Sequence, residues 1–167
     1  MQTNVRLEDI TIRTKLQPGD IGFVTYLHGV LYSREYGYEL AFESYVAKGL
    51  HEFVANHNPE KDGVWVCEHN NRIIGFLLLM DRKNFSAQLR FFIIKPEYRG
   101  IGLGKKLMDE LMKLLRTNVY KHMYLWTTHE QQAAAYLYMK RGFRLMEEKD
   151  STSFGKPLKE QRYDLFI

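Results

Sequence analysis

A chain of 167 residues has room for one domain around one sizeable core, and 45% hydrophobic with 26% charged residues is the composition of a soluble globular protein. No apolar run approaches the roughly 20 residues of a membrane-spanning helix; the opening MQTNVRLEDI lacks the apolar core of a secretion signal; and one cysteine, Cys67, excludes an internal disulfide, so a reducing cytoplasm is the expected location. The net charge of +4 suits an anionic ligand but makes no case by itself for nucleic acid.

Residues 11–16 (TIRTKL) alternate branched and charged side chains, as a half-buried strand does. Pro18-Gly19-Asp20 marks a turn, with Asp20 placed to cap the next helix. Apolar residues then recur at helical intervals over 21–35 and 39–55, and Gly37 breaks the two helices apart. Residues 64–82 read as a hairpin turning at Asn70-Asn71. A third strand over 87–96 ends at Pro96, which has no N–H for a sheet ladder. Leu103, Leu107, Met108, Leu111, Leu114 and Leu115 form one helical stripe. A strand over 122–128, a helix over 131–141 stopped by Gly142, and strands over 143–148 and 161–167 complete the chain. The order β-α-α-β-β-β-α-β-α-β-β predicts an α+β fold: a mixed, mostly antiparallel sheet of about seven strands with helices on both faces, in a single domain over 1–167.

Between the strand over 87–96 and the leucine stripe lies YRGIGLGKK (98–106), where bare backbone meets a helix start. The first amides of a helix lack internal partners and carry the positive end of its dipole. Glycines let a bulky anion approach them, and Lys105 and Lys106 add charge, so the stretch predicts a phosphate or pyrophosphate cradle. It is not a nucleotide-triphosphate loop, which would need glycine at Arg99 and a hydroxyl residue at Lys106. It is a poor dinucleotide fingerprint, because Lys105 stands where the third glycine belongs.

Arg99-Gly100-Ile101-Gly102-Leu103-Gly104 resembles the signature of the GNAT superfamily of acyl-CoA-dependent N-acyltransferases, in which Arg or Gln and two residues precede Gly-x-Gly/Ala. Ile94-Lys95-Pro96-Glu97-Tyr98 resembles the family's lead-in. Leu137-Tyr138-Met139-Lys140-Arg141-Gly142-Phe143 resembles its Leu-Tyr-x-x-x-Gly-Phe ending of the next helix, and the element order agrees over nearly the whole chain. Residues 16–39 and 153–158 further resemble the acetyltransferase half of proteins that fuse this domain to a MarR-type regulator. With the first strand near Thr11 there is no room for that regulator, so any cooperation with DNA would run through another polypeptide.

The resemblance implies an acetyl-CoA-dependent N-acetyltransferase acting on a primary amine of a small molecule or peptide. The amides from Arg99 through Gly100, Ile101, Gly102, Leu103 and Gly104 to Lys105 would hold the coenzyme A pyrophosphate. Phe92, Ile93 and Ile94 would offer main-chain groups to the pantetheine, which enters a wedge opening beside Leu125-Trp126, and the amide of Ile94 or a neighbour would face the oxyanion. Tyr138 occupies the family's position for the acid that protonates the leaving thiolate. Gln131 replaces the family's usual Asn seven residues before it, and Ala134 keeps the small residue between.

The base is not legible: Glu35, His28, His129, Glu130 and Asp81 are candidates. Glu35 stands foremost as the catalytic carboxylate, because it lies seven residues from His28 with Tyr32 between, on the helix that forms the acceptor side in this fold. His28, Tyr32, Glu35 and Trp126 are therefore the expected acceptor-side residues. No metal site is expected: His51 and His57 are six apart, not on one helical face, and no paired-cysteine or HExxH spacing exists. The alternative from another class is a non-catalytic acyl-CoA-binding sensor or regulatory module, which would need the glycine loop but not Tyr138. Dimers are common in the family, so a homodimer is a partner the resemblance allows.

Overall fold

The apolar run Phe76–Met80 becomes the centre of the molecule, because a central strand buried on both faces has no polar side to alternate with. In the computed structural model, which describes residues 4–167, the strands are β1 (Thr11–Arg13), β2 (Gly63–His69), β3 (Arg72–Arg82), β4 (Ser86–Ile94), β5 (His122–Thr128), β6 (Arg144–Ser151) and β7 (Leu158–Phe166). The helices are α1 (Asp20–Tyr36), α2 (Leu40–Ala55), α3 (Leu103–Thr117) and α4 (Gln132–Met139), with short 3-10 turns at Leu7–Asp9 and Pro96–Tyr98. They form one seven-stranded sheet in the order β1-β2-β3-β4-β5-β7-β6, antiparallel throughout except for β4 against β5. This is the expected α+β architecture and element order.

Each face of the sheet carries its own core. Leu77, Leu79, Leu89, Met123 and Leu125 pack under Leu107, Met108, Leu111 and Leu115 of α3 and Ala135 and Tyr138 of α4. On the other face Val66, Phe76 and Leu78 meet Val24, Leu27 and Leu31 of α1 and Val46, Leu50 and Phe53 of α2. Both stripes follow the three-and-four spacing of a half-buried helix. At about 1.5–3 kcal/mol per fully buried aliphatic or aromatic side chain, these two layers are the main favourable term in folding. The far edge strand β6 is exposed from Arg144 to Asp150, and its charges leave the edge unattractive to another strand. Among the described residues, no helix is long and apolar enough to cross a membrane.

Two expectations fail near the first strand. β1 stops at Arg13 rather than Leu16, because the Arg13 guanidinium turns the chain inward: it donates to the Lys15 carbonyl and pairs with Asp20 at 2.7 Å and Glu68 at 2.8 Å. Asp20 therefore does not cap α1. Its carboxylate accepts from Arg13 and from the Gln17 N–H, and Gly19, with φ of 96°, precedes the helix instead. Smaller shifts occur elsewhere. β4 ends at Ile94, α4 spans 132–139 rather than 131–141, β6 runs on to Ser151, and β7 starts earlier, at Leu158. Gly37 in the left-handed region and the Asn70-Asn71 turn, with φ of 50° and 60°, are where the sequence put them.

Candidate active site

β4 and β5 pair only through Ser86–Gln88 and His122–Tyr124, then diverge. Each stays bonded along its length to its other neighbour, β4 to β3 and β5 to β7, so the sheet opens as a V instead of fraying. A bulge aids the opening. Between the pairs Leu78↔Arg90 and Phe76↔Ile93, β4 carries one residue too many, and Phe91 takes φ of 57°, a costly conformation for a bulky residue. Beyond the bulge, Phe92 and Ile94 face the α3–α4 side, and Ile93 faces α1–α2.

The glycine stretch closes the outer end of the V. The amides of Gly100, Ile101, Gly102, Leu103, Gly104 and Lys105 donate to no group among the described residues, and the first to do so is Lys106, to the Gly102 carbonyl at 3.0 Å. Gly100 and Gly102 hold φ of 78° and 91°, which turns successive N–H groups outward at the positive end of α3. Such a run of free amides fits a pyrophosphate. From there a groove leads inward, lined by Ile94, Arg99, Gly104, Ala134, Leu137 and Phe92. Leu103 is a core residue, and Ile101 packs partly against the same core, so those two can contribute their amides but not their side chains.

At its inner end the groove meets a narrow cavity of about 80 Å³ between the diverging strands. Tyr32, Phe92 and Gln131 line both. The Tyr32 hydroxyl donates to Gln131 Oε1 at 3.3 Å, fixing two of these walls. Tyr138 lines the cavity; burial pushes its phenol well above the usual range, so it stays protonated at neutral pH, and among the described residues no group accepts its proton. Tyr32 is pushed up likewise, by burial first and by the neighbouring Tyr138.

The candidates from the sequence separate here. His28 and Glu35 share a face of α1, but seven residues of helix are about 10 Å. His28 sits in the inner cavity, stacked on Tyr32 at 5.6 Å with Nδ1 donating to the Val24 carbonyl, and burial lowers its pKa to about 4. Glu35 opens instead into the outer groove, where it pairs with Arg99 at 2.9 Å. Arg99 also donates to the Ile94 carbonyl at 3.0 Å, so the signature arginine latches α1 to the end of β4. Glu130 is paired with Lys156 and Asp81 with Tyr120, while His129 Nδ1 accepts the Lys159 N–H. Trp126 lines the inner cavity, with Lys149 Nζ 4.6 Å above its ring.

Two charged residues of the cavity were missed by sequence reasoning, Arg90 and Glu160. Glu160 on β7 makes no ion pair among the described residues, since its neighbour Lys159 turns to Glu148 and Asp150. A signal for Arg90 existed: one arginine inside AQLRFFII, where every neighbour is apolar or neutral. Glu160, in a run of alternating charges, gave none.

The profile of the Acetyltransferase (GNAT) family matches residues 23–143, most of the chain, and the chain belongs to that family. Its members use acetyl-CoA. An uncharacterized N-acetyltransferase of Methanocaldococcus jannaschii is 27% identical over 97 residues, 54% of this chain and 42% of that protein, so the chain spans under half the length of that relative. A GNAT acetyltransferase structure from Staphylococcus aureus superposes with a TM-score of 0.74 at 19% identity, covering 94% of this chain and 98% of that one. A spermidine N-acetyltransferase from Vibrio cholerae, solved with CoA and spermine, gives 0.68 at 21% identity over 95% and 96%. At these identities the structures establish the shared fold.

Proposed function

We propose that the chain transfers an acetyl group from acetyl-CoA to a primary amine that enters through the inner cavity. The observation that carries this reading is the junction itself: the groove and the inner cavity meet at Tyr32, Phe92 and Gln131, beside a protonated phenol with no partner among the described residues. Acetyl-CoA supplies the activated thioester; the residues supply position and protons. The free amides from Gly100 to Lys105 hold the pyrophosphate, and Ala134 leaves room for the pantetheine against β4. Phe92, rather than Ile94, lines both the groove and the cavity, so we assign to its main chain the role of facing the acetyl oxygen as charge builds there. Tyr138 donates its proton toward the departing sulfur.

The amine must shed its own proton. Glu35 is committed to Arg99 and the His28 imidazole is a weak base, so we assign the ammonium to Glu160, the unpaired carboxylate of the cavity, which draws the acceptor in and accepts the proton directly or through water. The two segments that carry the narrower likeness to MarR-fused acetyltransferases touch. The Glu39 N–H donates to the Phe154 carbonyl at 3.0 Å, and Tyr38 packs on Phe154 at 5.3 Å, so both segments build the acceptor wall.

A purely acyl-CoA-binding module would have no use for the phenol or the second cavity. Tyr138→Phe separates the two readings. Steady-state thiol release over an amine panel should fall by roughly 10²-fold or more while calorimetric affinity for acetyl-CoA is unchanged. Equal turnover in parent and variant would remove the acid role, and no turnover in the parent would favour the binding module.

A further inference from the structure

Acetyl transfer leaves Arg90 unused, although it is the one guanidinium lining the inner cavity. Its side chain is 10% exposed, and its only ion pair among the described residues is with Glu52 at 3.3 Å. Glu52 is held more closely by Arg82, at 2.7 Å, and the remaining Arg82 donors go to Gln88 Oε1. Two guanidiniums thus share one carboxylate, leaving an excess positive charge in the cavity wall. Nε and Nη2 of Arg90 have no hydrogen-bond partner among the described residues, and the residue lines the cavity. The group is also held in place. It lies 4.6 Å over the Phe91 ring and 5.3 Å from Tyr45, against the bare backbone of Gly49 on α2.

We infer that Arg90 is an anion subsite and that the acceptor is a small amino carboxylate, its carboxylate bound by the guanidinium and its amine at the junction. This rests on the acetyl-transfer reading of the cleft. A planar fork fits a carboxylate through two parallel hydrogen bonds, and its packing means little ordering is lost on binding. Arg90 precedes Phe92 by two residues, at most about 7 Å of strand between their Cα atoms, and both line the cavity, which favours a small acceptor. Glu160 supplies the opposite charge in the same cavity, matching a zwitterion rather than a simple amine or a polycation.

The test compares matched acceptors, phenylalanine with phenethylamine and 6-aminohexanoate with pentylamine, by thiol release at saturating acetyl-CoA. Binding of the same compounds to the CoA-loaded protein is measured by calorimetry. The carboxylated member of each pair should be favoured by about 10- to 100-fold in kcat/KM. Arg90→Gln should abolish the preference, and Arg90→Lys, which keeps charge and most packing, should restore part of it. Glu52→Gln should keep or raise it, because the competing carboxylate is gone; a merely structural Arg90 would make Glu52→Gln behave like Arg90→Gln. Equal use of both members, or a preference surviving in Arg90→Gln, overturns the inference while acetyl transfer stands. With no turnover at all, Arg90-dependent binding of the carboxylates upholds the subsite and removes the acetyl-transfer reading, whereas binding independent of Arg90 overturns the subsite.

Discussion

Replacing His28 with Phe should remove a pH-dependent loss of stability. His28 is buried among Tyr32, Phe42 and Phe91, makes no ion pair among the described residues, and its pKa falls from 6.5 to about 4 because burial disfavours the charged ring. The unfolded chain therefore binds a proton from about pH 6.5 downward, and the folded chain does not until about pH 4. Stability from this site is complete above pH 6.5 and is lost progressively as pH falls toward 4. Between pH 7.5 and pH 5 the loss comes to about 2 kcal/mol at 1.36 kcal/mol per unit. Phe preserves the stacked ring and cannot titrate. Urea unfolding of parent and variant at the two pH values gives the comparison: the parent should lose about 2 kcal/mol more than His28→Phe. Identical losses would mean that His28 is charged, or water-linked, in the folded protein, and the argument from burial would be wrong.

Gly102→Glu puts a side chain at φ of 91°, which costs about 1–2 kcal/mol of backbone strain, and sets a carboxylate beside the free amides. Circular dichroism should show a folded chain, and calorimetry should show acetyl-CoA affinity reduced at least about tenfold; undiminished affinity would place the pyrophosphate elsewhere. Gly49→Ala would bring a methyl to 2.5 Å from the Phe91 ring and 2.6 Å from Arg90 Nη2. Overpacking of this kind costs about 1–3 kcal/mol. Thermal unfolding should show it as a lower Tm, by roughly 2–4 °C per kcal/mol for a chain of this size.

The parts of this protein that depend on near neighbours in sequence were legible. The α3 stripe, the Gly37 break, the Asn70-Asn71 turn and the buried run of β3 reflect side-chain period and backbone freedom, which act within a few residues. The free amides of the glycine stretch belong with them, since a helix start leaves its first N–H groups without partners wherever it occurs.

What the tertiary structure alone decided concerns groups distant in the chain. The bulge at Phe91 and the parting of β4 from β5 arise from the register of each strand with its other neighbour, which no local pattern encodes. Helical spacing placed His28 and Glu35 on one face but could not tell that about 10 Å of axis put one in the inner cavity and the other beside Arg99. The same holds for Asp20, which looked like a cap until Arg13 claimed it. Arg90 and Glu160 lie 70 residues apart in the chain, on different strands, and the gap between β4 and β5 is what brings both into one cavity. Charge matters there because the cavity is narrow, and that shape exists only once the sheet has formed.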